Sequence, residues 1–161
     1  KIEGAGWRER VRNWAMAQFE AVCRRTWILE MPMTSPPAGP DSLAWVEQAV
    51  DALGETELSE AEKMRVIGML SAYALAESRM QYEEVQSRLR HHHADYATVL
   101  RLLVDEPTCL ALFRAGWSGQ LDAPGAAEYP DAANAGFVFG LERILDGIQV
   151  LVDRRQGETK A

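Results

Sequence analysis

Apolar and polar positions recur with a helical period in segment after segment of the chain, most informatively between Phe137 and Ile148, FVFGLERILDGI. At 3.6 residues per turn, Phe137, Leu141, Ile144, Leu145, Ile148, Leu151 and Val152 fall on one stripe, which predicts a core-facing helix. A second stripe carries Gly136, Gly140 and Gly147, with Phe139 and Val150 beside them. Each glycine inside a helix costs roughly 1 kcal/mol relative to alanine, and close approach of another backbone is the usual compensation. This last helix is therefore expected to pack on both sides, once within its own subunit and once against a partner.

The remaining pattern is helix, loop, helix, with no period-2 run long enough for a sheet, so the fold class is all-α. A first helix is expected from Trp7 to about Arg25, then a short turn around Trp27 to Met31. The stretch MPMTSPPAGP, residues 31–40, forbids a continuous helix with its four prolines and one glycine. Pro40 suits the first position of a second helix, which runs to about Leu53 before Gly54 stops it. Ser59 and Glu62 have capping-box spacing at the head of a long helix reaching about Arg90. Its apolar positions Met64, Ile67, Leu70, Leu75, Val85 and Leu89 are joined by Tyr73, Met80 and Tyr82 on other faces, too many for a one-sided surface helix. Asp95–Asp105 and Pro107–Ala115 read as two shorter helices, and Ser118–Asp131 as a loop rich in small residues.

Length and composition narrow the class. At 161 residues with 47% hydrophobic content the chain suits a single domain, 1–161, with tails at 1–6 and 156–161. No apolar run approaches the roughly 20 residues of a membrane span, and no signal-peptide core opens the chain, so a cytoplasmic protein without membrane contact is expected. Cys23 and Cys109 stand apart without ligand spacing and read as buried small hydrophobes. A net charge of -7 argues against these residues embracing a phosphate backbone themselves.

Catalytic and metal-binding patterns are missing. His91, His92 and His93 are consecutive, so on a helix they diverge, and no inward-facing set of further ligands accompanies them. They read as a helix-end cluster near a C-terminal dipole. The pairs Glu83-Glu84 and Asp105-Glu106 diverge in the same way, and no nucleophile beside a positioned base or glycine-rich phosphate loop is present. No enzyme activity, metal or cofactor is expected. Five Trp, six Met and four Tyr supply large polarisable side chains that suit a core or an adaptable apolar pocket equally well.

Four segments together carry a resemblance: WRERVRNWAMAQF (7–19), GPDSLAWVEQAVDAL (39–53), SEAEKMRVIGMLSAY (59–73) and FVFGLERILDGI (137–148). In this order they resemble the C-terminal effector-binding and dimerisation domain of tetracycline-repressor-like (TetR/AcrR) transcriptional regulators, over roughly Trp7 to Val152. The resemblance implies a homodimer closed by two helices from each subunit, the long one after Ser59 and the last one. Gly136, Phe139, Gly140, Arg143, Gly147 and Val150 would lie at that interface.

By the same register an apolar effector would meet Trp14, Gln18, Met31, Val46, Ala49, Met64, Ile67 and Ser71, with Gln18 and Ser71 as polar handles. Leu110 and Phe113 of the partner subunit would close the pocket. Pro32 and Met80 stand where the tetracycline repressor holds its magnesium chelate, and neither can bind magnesium. The implied function is a repressor released from operator DNA by an apolar small molecule. DNA would be reached through a basic helix-turn-helix headpiece that these 161 residues do not contain. The alternative is a helical ligand-binding or scaffold dimer without DNA activity.

Overall fold

Helix α1 (Trp7–Arg24) is the element to which the others are fastened. Val11, Trp14, Ala15, Phe19 and Val22 recur at helical spacing along it, and all five are buried. The computed structural model describes residues 2–30, 39–91 and 134–159. Among them α1 is followed by the single turn α2 (Trp27–Glu30), α3 (Pro40–Ala52), α4 (Glu60–His91) and α5 (Ala135–Thr159), with no strand, so the fold is all-α.

The ends of these helices follow from local chemistry. Pro40 occupies the start of α3, where its missing N–H is no loss, and the chain leaves the helix at Leu53 and Gly54. The expected capping box opens α4: the Glu62 amide donates to Ser59 Oγ at 3.4 Å, and the Ser59 amide donates to Glu62 Oε2 at 2.9 Å. Helix α5 continues to Thr159, through residues expected to be a tail. The pair Arg155–Glu158, 2.6 Å apart at helical spacing, sits in that extra turn.

Side-chain contacts give the directions. α3 runs antiparallel to α1, since Trp14 meets Trp45 while Arg10 reaches the Ala52 carbonyl. α4 runs parallel to α1, with Gln18 opposite Ser71 and Cys23 opposite Ser78. α5 is antiparallel to both: Arg8 and Arg12 meet Asp146 and Glu142, and Arg155 meets Glu62. Trp14, Phe19, Leu53, Leu70, Leu141, Leu145, Val11 and Val152 are the largest fully buried apolar residues among those described.

The buried stripe of α4 differs from the apolar pattern that suggested it. Lys63, Val66, Ile67, Leu70, Ala74 and Ser78 are buried, while Met64 and Val85 are half exposed. Small residues occupy the contact with α1, where Cys23 Sγ lies 3.7 Å from Ser78 Oγ, which itself donates to the Ala74 carbonyl at 2.7 Å. Close helix packing selects small side chains there, and hydrophobic periodicity does not register them.

The chain divides into two compact units, Lys1–Met80 with Phe139–Ala161, and Gln81–Val138. The contacts named so far belong to the first. In the second, α4 continues to His91 and α5 begins at Ala135, with the Val138 amide bonded to the Asn134 carbonyl at 2.9 Å and Ala135, Phe137 and Val138 buried. The expected helices Asp95–Asp105 and Pro107–Ala115, the loop Ser118–Asp131, Cys109, His92 and His93 lie outside the described residues. No helix among the described residues is long and apolar enough to cross a membrane.

Candidate ligand site and pairing face

Helices α1, α3 and α4 carry the described members of the expected ligand set. Trp14 is fully buried; its indole Nε1 donates to the Trp45 carbonyl at 2.9 Å, and its ring stacks on Trp45 with centroids 5.6 Å apart and planes at 22°. Ala49 and Ile67 are buried and Val46 is half-buried. Ser71 Oγ donates to Gln18 Oε1 at 3.3 Å, so the two polar groups on α1 and α4 satisfy each other. Met64 is 50% exposed, on the outer side of α4. Met31, Pro32, Leu110 and Phe113 lie outside the described residues, and Met80 is exposed.

Sequence reasoning missed Trp45. Its indole Nε1 is buried and has no hydrogen-bond partner. The signal was available: four residues back from Ala49 and seven from Ala52, both buried, helical spacing leads to Trp45 rather than to its neighbour Val46.

A separate open groove of about 490 Å³ is lined by Ile2, Arg10, Gln48, Asp51, Glu55 and Lys63 among others. Its two cations are paired, Arg10 with Glu55 at 3.0 Å and Lys63 with Glu60 at 2.8 Å, and none of the expected ligand residues lines it. Among the described residues no cluster of three or more His, Cys, Asp or Glu side chains is placed to hold a metal ion.

The outer side of α5 is open. Phe139 and Val150 are 49% and 59% exposed, and Gly136, Arg143 and Gly147 are exposed with them. The Arg143 guanidinium lies over the Phe139 ring, 5.4 Å from its centroid. Among the described residues, a Cβ built on Gly147 would meet nothing within 4 Å, and the same holds for Gly68 on α4, near exposed Met64 and Met69. Gly140 differs. A Cβ there would fall 2.6 Å from Cζ and 3.2 Å from Cε2 of Tyr73, so this glycine makes room for a ring of its own chain. Burial, aided by the charge of Glu77, pushes the Tyr73 hydroxyl up to about 12.

Ion pairs hold α5 against its neighbours. Glu142 accepts from Arg12 Nε at 2.7 Å and from Arg8 Nη2 at 2.8 Å, and Arg8 also reaches Asp146 at 2.7 Å. Burial pushes the Glu142 carboxyl up, but the hydrogen bonds from Arg8 and Arg12 outweigh it and leave it below its ordinary value. Asp146 is held low first by Arg8. At the far end Arg155, then the amide and hydroxyl of Ser59, hold the Glu62 carboxyl down at about 2.

Comparison with known proteins agrees with this architecture. The family described as "Tetracyclin repressor-like, C-terminal domain" matches residues 2–152. The chain is 26% identical over 156 residues to the HTH-type transcriptional repressor DrrR1 of Streptomyces coeruleorubidus, an alignment covering 96% of this chain and 56% of that protein. It thus spans little more than half the length of that relative. No solved structure matches it significantly. A family match running over residues 2–152, on a chain whose described elements are all helices, has one reading: the protein belongs to the tetracycline-repressor-like family, as a C-terminal domain of its transcriptional regulators.

Proposed function

We propose that the chain is the effector-sensing and dimer-forming part of a cytoplasmic repressor, with operator DNA contacted by a helix-turn-helix segment outside these 161 residues. The observation that carries this reading is the two-sidedness of α5. Leu141, Leu145, Ile148 and Val152 are buried within the chain, while Phe139, Gly147 and Val150 lie open on the other side. Exposed apolar groups beside glycines with vacant space are what a second helix pair needs for close packing. The relative is named a repressor, and the net charge of -7 leaves operator contact to another segment.

Sensing is assigned to the α1–α3–α4 region around Trp14, Gln18, Ala49, Ile67 and Ser71. An apolar molecule bound there would favour one of two arrangements of the helices and so change the spacing of two headpieces on successive half-sites, with a coupling of about 1–3 kcal/mol. Light scattering at micromolar concentration tests the dimer. The parent should weigh twice the chain, and Gly147→Leu should become monomeric with its helicity intact, because a Cβ at this position meets no described residue of its own chain within 4 Å. A parent of monomer mass overturns the proposal.

A further inference from the structure

Trp45 Nε1 is the one side-chain polar atom among the described residues that is buried without a hydrogen-bond partner. Native proteins leave few such donors, because burying an N–H away from water without an acceptor costs stability. Its orientation is fixed from two directions. The Trp45 ring is stacked on Trp14, and Trp14 is itself locked by its own indole bond to the Trp45 carbonyl. The indole therefore cannot turn toward solvent without breaking a stack that involves a fully buried residue. Gln18 and Ser71, the polar groups expected to greet a ligand, are already bonded to each other.

Resting on the effector-sensing reading of this region, we infer that the Trp45 indole N–H is the donor that recognises the effector. An indole nitrogen donates and never accepts, so it selects for an acceptor on the ligand. The aromatic pair beside it favours a flat, apolar ring system. The effector class is then a polycyclic molecule carrying a carbonyl or comparable oxygen at the edge that meets Trp45. A cation or a molecule presenting only donors leaves the N–H unpaired and is rejected.

A matched pair of probes tests this: 9-fluorenone and fluorene share a tricyclic shape and differ in one carbonyl. In the ¹⁵N-labelled protein the Trp45 indole resonance, identified by its loss in Trp45→Phe, should move downfield with fluorenone and not with fluorene. Fluorenone should bind about ten-fold more tightly, as one buried hydrogen bond allows. Trp45→Phe, which keeps an aromatic ring against Trp14, should bring the two affinities together. If fluorenone binds while the Trp45 resonance stays in place, the donor assignment is overturned and effector sensing survives. If neither probe binds, the apolar-site reading falls and takes the assignment with it. The resonance is read in the parent protein, so the test does not depend on the variant folding.

Discussion

Replacing Gly140 with alanine sets two effects of known sign against each other. Alanine in place of glycine inside a helix is worth about 1 kcal/mol in favour of the folded state. Against it, the added methyl would stand 2.6 Å from Tyr73 Cζ and 3.2 Å from Cε2, closer than carbon atoms pack, and overpacking of this kind costs about 1–3 kcal/mol. The Tyr73 ring must move, and it is half-buried on α4. In the parent background Gly140→Ala should therefore be neutral to destabilising, by up to about 2 kcal/mol. In a Tyr73→Ala background the obstacle is gone, and the same change should stabilise by about 1 kcal/mol. Tyr73→Phe should not rescue it, since Cζ and Cε2 remain. Urea unfolding followed by helical circular dichroism, at one protein concentration for all variants, gives the coupling energy, expected at about 1–3 kcal/mol. If Gly140→Ala stabilises the parent and the Tyr73→Ala variant equally, Tyr73 is not seated over Gly140 and the glycine has another cause.

Two further predictions follow from the ion pairs. Glu62 is held at about 2 in the folded chain against roughly 4.3 in the unfolded one, so its contribution is complete above the unfolded value and fades as pH falls toward about 2. The difference in urea midpoint between the parent and Glu62→Gln should be constant from about pH 7 to pH 5 and vanish near pH 2; a difference that persists there contradicts the assignment. Glu142→Gln should cost about 1 kcal/mol at low salt, because it weakens contacts to both Arg8 and Arg12 at a partly exposed site. That cost should shrink in about 1 M salt, and an effect independent of salt would show that the role of Glu142 is packing.

What was legible in the sequence was whatever a local pattern carries. The capping box at Ser59 and Glu62, the proline start of α3 and the two stripes of α5 each lie within a few residues of one another, and each predicted its element. The stripe of α4 was misread because its contact with α1 runs through Ala74 and Ser78, which carry little hydrophobic signal, while the larger Met64 lies outside. The ties of Arg8 and Arg12 to Glu142 join residues more than a hundred positions apart, where no spacing rule operates. At the candidate ligand site the register led to Val46, yet the unpaired donor belongs to the residue before it, a distinction that only side-chain geometry reveals.

The glycines of α5 show how one sequence signal can have two physical causes. At about 100° per residue, Arg143, Gly147 and Val150 fall within roughly 80° of Phe139, and Gly140 lies at the edge of the same arc. Gly140 and Gly147 are nearly in line, two turns apart, but the first is covered by Tyr73 and the second faces empty space. The antiparallel register explains the contrast. With Tyr73 level with Gly140 and Glu62 level with Arg155, the α4 residue level with Gly147 is close to Gly68. Gly68 is exposed and its Cβ position is vacant as well. The two helices thus carry glycines at one level, each bearing a helix penalty of roughly 1 kcal/mol and each with no described residue within 4 Å of its Cβ position. Tyr73 accounts for Gly140 from inside; on the proposed dimer reading, Gly68 and Gly147 mark the level at which a second copy would bring its own backbone closest.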